Sequence, residues 1–229
     1  MAEAEPVTLA SLPVADQRLT LAEVAEVAEQ VSGFPAGTVR WYDFGGASET
    51  PPEVVDAVTL LDLGRMTAMN PDMTGQDAVA LLERDVDPSV WRAVPPLADL
   101  ADADAAIEGG LFDAANKLYK AFSSISNVKD AKTSKLLHLK RPRLYPILDE
   151  QVKRLYLARA VEEAARPEVA WRGYRMTYWA AIRQDLLAWR EVQAFEALRE
   201  QLHHRGRPEH ARLSGVRLLD ITAWRLASR

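Results

Sequence analysis

The sequence predicts an all-α protein, and three observations carry that prediction. Apolar residues recur at helical spacing: Val24, Val27, Ala28 and Val31 form one stripe, and Leu111, Phe112, Ala115, Leu118, Tyr119 and Phe122 a longer one. Helix-opening residues precede such stripes. Thr20 and Glu23 stand at capping-box spacing, as do Thr50 and Glu53, the latter pair with proline in the first turn. Gly33 and Pro35, and later Gly206 and Pro208, punctuate the pattern where a helix must stop.

Residues 1–18 lack helical periodicity and read as a flexible tail ahead of a single helical domain spanning 19–229. The stretch from Val39 to Phe44 is short, aromatic and β-prone, so a strand pair, if one forms, is expected near residues 38–44. A helix follows Thr50 through Val54, Val55, Val58, Leu61 and Leu63, and a shorter one spans Thr74 to Glu83. Pro88, Pro95 and Pro96 mark a linker. Beyond the long stripe, Ser123 to Val128 reads as a turn. Asp130 to Leu139 reads as a helix stopped by Arg141 and Pro142, and Pro146 opens another that runs to about Ala158. Val169 to His203 is aromatic and helical, carrying Trp171, Tyr174, Tyr178, Trp179 and Trp189, and Ser214 caps a last helix. There is no internal repeat.

Charge is divided along the chain. Residues 1–113 hold 21 Asp/Glu against 5 Lys/Arg, a net of −16, and residues 114–229 hold 12 against 23, a net of +11. This suggests an acidic lobe over about 19–113 and a basic lobe over about 114–229. A basic lobe suits a polyanion, because neutralising phosphates is the main sequence-independent contribution to nucleic-acid affinity. The alternative is that the two halves pack together and cancel. The absence of cysteine removes disulfides, thiolate metal sites and cysteine nucleophiles. His203, His204 and His210 lack carboxylates at metal spacing, so no metal and no cofactor are expected. No apolar run approaches the roughly 18 residues of a membrane span, and the first residues lack the basic-then-apolar pattern of a secretory leader. A cytoplasmic location, without membrane contact, is the expectation.

The segment from Ile125 to Arg154 stands apart. It carries Lys129, Lys132, Lys135, Lys140, Arg141, Arg143, Lys153 and Arg154 against Asp130, Asp149 and Glu150. Over about thirty residues it resembles the helix-hairpin-helix DNA glycosylase superfamily, which includes endonuclease III and the 8-oxoguanine glycosylases. Ile125 and Val128 fall on the apolar positions of that hairpin, and Asn127 and Lys129 stand where the family has glycines. Asp149 lies eighteen residues past Ala131, the separation found in endonuclease III, and the residues from Asp149 to Arg154 follow the pattern around the family's catalytic aspartate. Ser134 to His138 and Tyr145 to Asp149 are closest to an uncharacterised bacterial branch of this group.

The resemblance implies a two-lobed helical fold, DNA as partner, and hydrolysis of an N-glycosidic bond with Asp149 as the carboxylate beneath the sugar. It implies phosphate binding by Asn127, Lys129, Lys132, Lys153 and Arg154. Ala131 occupies the place of the nucleophilic lysine in bifunctional members, which implies a monofunctional enzyme unless Lys135, one turn on, substitutes. Tyr42 and Asp43 are candidates for a base pocket, and Trp41 and the aromatic residues between Trp171 and Trp179 are further stacking candidates. Two other readings stand beside this one: a non-catalytic nucleic-acid-binding relative, and a protein-interaction module whose acidic half screens its basic half.

Overall fold

A computed structural model of the protein describes residues 11–30, 42–43, 56–69, 72–172, 174–208 and 210–228. The described residues form ten α-helices and one two-stranded hairpin, so the protein is mostly helical. None of the described helices is long and apolar enough to cross a membrane. The chain divides into two compact units. One takes residues up to 33 together with 151–229, and the other is continuous over 34–150.

The discontinuous unit begins where the sequence suggested a loose tail. Strands β1 (Leu12–Val14) and β2 (Gln17–Leu19) pair antiparallel, with Val14 opposite Gln17. A strand pair thus lies here; of the stretch 38–44, where one was expected, Tyr42 and Asp43 are helical and the other positions lie outside the described residues. Three residues per strand are too few to show a periodicity, and tertiary anchors hold the hairpin instead. Helix α7 (Glu150–Ala165) and helix α8 (Tyr174–Glu191) supply them. Asp185 on α8 accepts the Ala15 amide at 2.7 Å and the Tyr156 hydroxyl at 2.8 Å. Arg159 on α7 donates to the Ala15 carbonyl at 3.2 Å, and the Trp189 indole donates to Pro13 at 2.8 Å. Ala15 sits at φ +52°, a conformation costly for any residue with a Cβ, and these contacts over-determine it. Burial pushes the Asp185 carboxyl above its ordinary range, opposed by the Ala15 amide and the Tyr156 hydroxyl.

Helices α1 (Leu21–Gln30), α9 (Ala194–His204) and α10 (Gly215–Ala227) complete this unit. Thr20 and Glu23 form the expected capping box at α1, with the Thr20 amide 2.7 Å from the Glu23 carboxylate. The aromatic region from 169 to 203 is two helices rather than one, parted at Gln193, whose φ of +53° breaks the ladder. Trp179 and Trp189 are core residues, whereas Trp171 is exposed with the Arg172 guanidinium 4.0 Å from its ring centre. Ser214 caps α10 by accepting the Arg217 amide at 3.0 Å.

In the continuous unit, Thr59 and Asp62 start helix α2 (Leu60–Met69), and Thr74 and Asp77 start helix α3 (Gly75–Leu82). Residues 56–59 are not helical, and the expected box at Thr50 and Glu53 lies outside the described residues. The proline-marked stretch is not a linker. Pro88 opens a short helix α4 (Pro88–Arg92) capped by Asp87, and Val90, Trp91 and Val94 are buried. Helix α5 (Leu111–Ser123) buries the predicted stripe, and after a six-residue turn helix α6 (Asp130–Lys140) packs against both α5 and α2. The loop after α6 contains Pro146, and α7 starts only at Glu150. The chain leaves this unit at 150, one residue beyond Asp149.

The charge division does not survive folding. The unit over 34–150 carries 18 acidic and 12 basic residues, and the other carries 15 and 16. Nets of −6 and +1 replace −16 and +11, because each unit draws on both halves of the sequence.

Candidate functional site

Helices α5 and α6 are joined by a tight turn that follows from its residues. The Ile125 amide donates to Phe122 and the Val128 amide to Ile125, each at 3.0 Å, winding the chain tightly after α5. Val128 is fully buried. Asn127 adopts φ +66°, the left-handed conformation that asparagine tolerates better than most residues with a side chain. Lys129 stands at the N-terminal boundary of α6, exposed, and makes no side-chain cap. The N-cap position of α6 thus lacks the side-chain oxygen that Thr74 supplies to α3. Tyr119 ties α5 to the start of α6 by donating to the Asp130 carbonyl at 3.0 Å.

The lysines of α6 point elsewhere. Lys132 reaches Asp77 at 2.7 Å and the Asn127 carbonyl at 3.2 Å. Lys135 is buried and donates to the Met69 carbonyl at 2.7 Å, closing the C-terminal end of α2 where carbonyls lack intrahelical partners. Lys140 is buried against Asp62, and burial holds its amine below the ordinary lysine range with Asp62 opposing. Arg141 is fully buried, donating to Val94 at 2.7 Å and to Asp56 at 2.6 Å, with its guanidinium 5.4 Å from the Trp91 ring centre. Arg143 meets Asp99 at 3.0 Å. Four aspartates of the acidic half therefore neutralise Lys132, Lys140, Arg141 and Arg143 of the basic half. The basic run is in large part internal wiring, and within it Lys129, Arg143 and Arg154 are exposed.

One of these pairs makes the unit acid-sensitive. The Lys132 ammonium and the Thr74 cap lower the Asp77 carboxyl from 3.8 to about 2. A carboxyl depressed in the folded state contributes stability above its unfolded value, and that contribution is lost as the pH falls from 3.8 toward 2. Asp77→Asn should flatten the pH dependence of unfolding in this window. Denaturant titrations at several acid pH values would read it, and an unchanged slope would show that the pair carries no such linkage.

Asp149 is half-buried and stands at the N-terminal boundary of α7, at the end of a loop that α6 holds from two sides. His138 is buried, and its Nδ1–H donates to the Tyr145 carbonyl at 2.7 Å. The Leu148 amide donates to the Ser134 hydroxyl at 3.1 Å. Tyr145 reaches back to α5, donating to the Ala115 carbonyl at 2.9 Å. Asp149 and the turn at 125–129 thus belong to one unit and share α6 as their support. Ser134 and His138 fall within the segment that carries the resemblance but were given no role, because the long-range partner of a serine or histidine in a helix is not written in its spacing.

The remaining candidates fall elsewhere. Lys153 and Arg154 lie in the first turns of α7 and belong to the discontinuous unit. Tyr42 is fully buried. Its hydroxyl donates to the Lys135 carbonyl at 2.7 Å, its own carbonyl accepts from Arg65 at 2.6 Å, and its ring stacks on His138. Asp43 is half-buried beside it, and Trp41 lies outside the described residues. Tyr42 thus holds α6 in place and offers no open ring face.

No curated protein and no solved structure matches the chain. A family model, described as a family of unknown function (DUF6308), matches residues 15–227, and the chain belongs to that family.

Proposed function

We propose that the unit over 34–150 engages a nucleic-acid backbone with the turn at 125–129 and presents Asp149 to the sugar of a flipped nucleotide, as a monofunctional N-glycosidic hydrolase. The observation that carries this reading is the shared support of α6. The helix that follows the hairpin turn also fixes, through Ser134 and His138, the loop that ends at Asp149. A phosphate at the turn would meet the first amides of α6 and the Lys129 ammonium, the arrangement that makes a helix start an anion site. Asp130 in that first turn opposes the anion in part.

The reaction breaks the bond between C1′ and the base nitrogen. Water adds its oxygen to C1′, one water proton passes to the Asp149 carboxylate, and the base leaves with a proton from solvent. Positive charge grows on the sugar during the step, and a nearby carboxylate stabilises it. The base must first leave the stack, at a cost of roughly a few kcal/mol. The test is an excision assay on duplexes carrying uracil, 8-oxoguanine or ethenoadenine, with Asp149→Asn beside the wild type.

The wiring of α6 separates the lysines into two groups. Lys129→Glu should weaken DNA binding across sequences and reduce the salt slope of log affinity by about 1, since one phosphate contact is lost. Lys132→Glu should instead damage the fold, because it sets two carboxylates against each other at Asp77. Fluorescence anisotropy against salt concentration reads the first and a melting curve the second. Unchanged DNA affinity in Lys129→Glu would remove the turn from the binding surface.

A second reading rests on the same wiring. With Lys132, Lys135, Lys140 and Arg141 engaged inside the unit, the protein is a non-catalytic relative that keeps the turn as a structural element. A wild type inactive on every duplex, with no salt-dependent DNA affinity, favours it.

A further inference from the structure

We infer that Ser134 is a positioning residue for Asp149, an inference that takes its catalytic consequence from the reading above but has a physical readout of its own. Ser134 is fully buried in the middle of α6. Its hydroxyl accepts the Leu148 amide at 3.1 Å and donates to the Ala131 carbonyl at 3.2 Å. A serine that only satisfied its own helix would need the second bond alone. The first bond reaches fourteen residues along the chain to the amide of Leu148, the residue before Asp149. The donated proton is committed to Ala131, so the oxygen's lone pairs face Leu148, and the bond has a fixed direction.

The geometry around it leaves Ser134 a specific task. The loop is held at Tyr145 by His138 and at Ala115 by the Tyr145 hydroxyl, but both contacts lie four residues before Asp149. Ile147 and Leu148 pack their side chains in the core, which fixes depth but not the rotation of the 147–148 peptide. The Ser134 bond sets that rotation, and through it the direction in which the chain enters Asp149. A carboxylate that acts on a developing charge must be held to within a fraction of an ångström, and a misplacement of about 1 Å can cost roughly a hundredfold in rate.

The experiment compares wild type with Ser134→Ala, Ser134→Thr and Thr222→Val. The last removes a buried hydroxyl bonded to the Leu218 carbonyl at 2.7 Å on α10, and so serves as a control for the loss of one buried hydrogen bond. Amide hydrogen exchange by NMR is the first readout. In Ser134→Ala the Leu148 amide should exchange at least tenfold faster and the Asp149 carboxyl carbon resonance should move. Ser134→Thr should restore both, and Thr222→Val should leave both in place. Excision kinetics on the duplex that wild type cleaves are the second readout, with kcat falling about tenfold to a hundredfold in Ser134→Ala at unchanged KM. If Leu148 exchange and the Asp149 resonance are unaltered in Ser134→Ala, the positioning inference is overturned whatever the enzyme does. If they change as expected and wild type excises nothing, the inference stands and the glycosidic reading fails. Should Ser134→Ala unfold, the Leu148 amide of the wild type decides: an amide protected from exchange supports the bond, and one that exchanges at the rate of an open loop overturns it.

Discussion

Asp62→Asn is expected to lower the stability of the 34–150 unit by about 3–5 kcal/mol near neutral pH, the loss found when one partner of a buried ion pair is removed. Asp62 and Lys140 are both nearly inaccessible, so the substitution leaves an ammonium buried without its anion. Asparagine keeps an oxygen for the Thr59 amide, which lies 2.8 Å from the aspartate, so the start of α2 is preserved and the charge effect is isolated. The pH dependence supplies the signature. Burial already lowers the Lys140 amine from the ordinary lysine value of 10.5, and losing Asp62 lowers it further. The unfolded chain then binds more protons than the folded one between the two values, so stability rises with pH through that window and levels off above 10.5. The deficit of the variant should therefore shrink in alkaline buffer, as Lys140 becomes neutral in the folded state. Urea titrations between neutral pH and the alkaline limit of folding measure it. A deficit that stays constant with pH would mean that the pair is not what Asp62 contributes.

The helices were legible where one face is buried and the ends are capped locally. The stripe from Leu111 to Phe122, the box at Thr20, the helix start at Thr74 and the cap at Ser214 rest on contacts within three or four residues, and spacing records such contacts directly. The hairpin at 12–19 was not legible, because Asp185, Arg159 and Trp189 hold it from more than a hundred positions away. Pro88 misled for a related reason. Proline suits the first turn of a helix as well as a linker, and the burial of Trp91 and Val94 decides between them.

At the candidate site the sequence conveyed residue types but not their commitments. A run of lysines looks the same whether it faces solvent or carboxylates. In this fold α6 lies against α2 and α3, both of which carry an aspartate three residues past their capping threonine. Asp62 and Asp77 thus accept from their own helix starts and from Lys140 and Lys132 together. This pairing accounts for part of the separation of charge along the chain, since it brings opposite halves of the sequence into one unit. The left-handed Asn127 was the one backbone feature of the turn that the residue itself announced.

Asp149→Asn should reduce base excision by about 10²–10³-fold, the range found when one preorganised electrostatic stabiliser is removed from an active site. The choice of asparagine separates this from a structural role. Aspartate and asparagine serve almost equally at a helix start, so if Asp149 only supports α7 the variant should melt with the wild type and act like it. Asp149→Ala provides the complementary case, with about 1 kcal/mol of stability lost if the side chain caps the helix. Excision lost in both variants, with stability lost only in Asp149→Ala, assigns the carboxylate to chemistry and its oxygen to the helix. No strand cleavage should accompany excision. Ala131 has no amine, and the Lys135 amine donates to the Met69 carbonyl from a buried position, where it serves the end of α2. Borohydride should therefore trap no protein–DNA adduct, because a Schiff base needs a neutral amine free to reach the sugar aldehyde. An adduct that disappears in Lys135→Ala would show that this lysine leaves its place on α2 and acts as nucleophile. Wild-type excision by Asp149→Asn would remove the carboxylate from the reaction altogether, and with it the glycosidic reading of this unit.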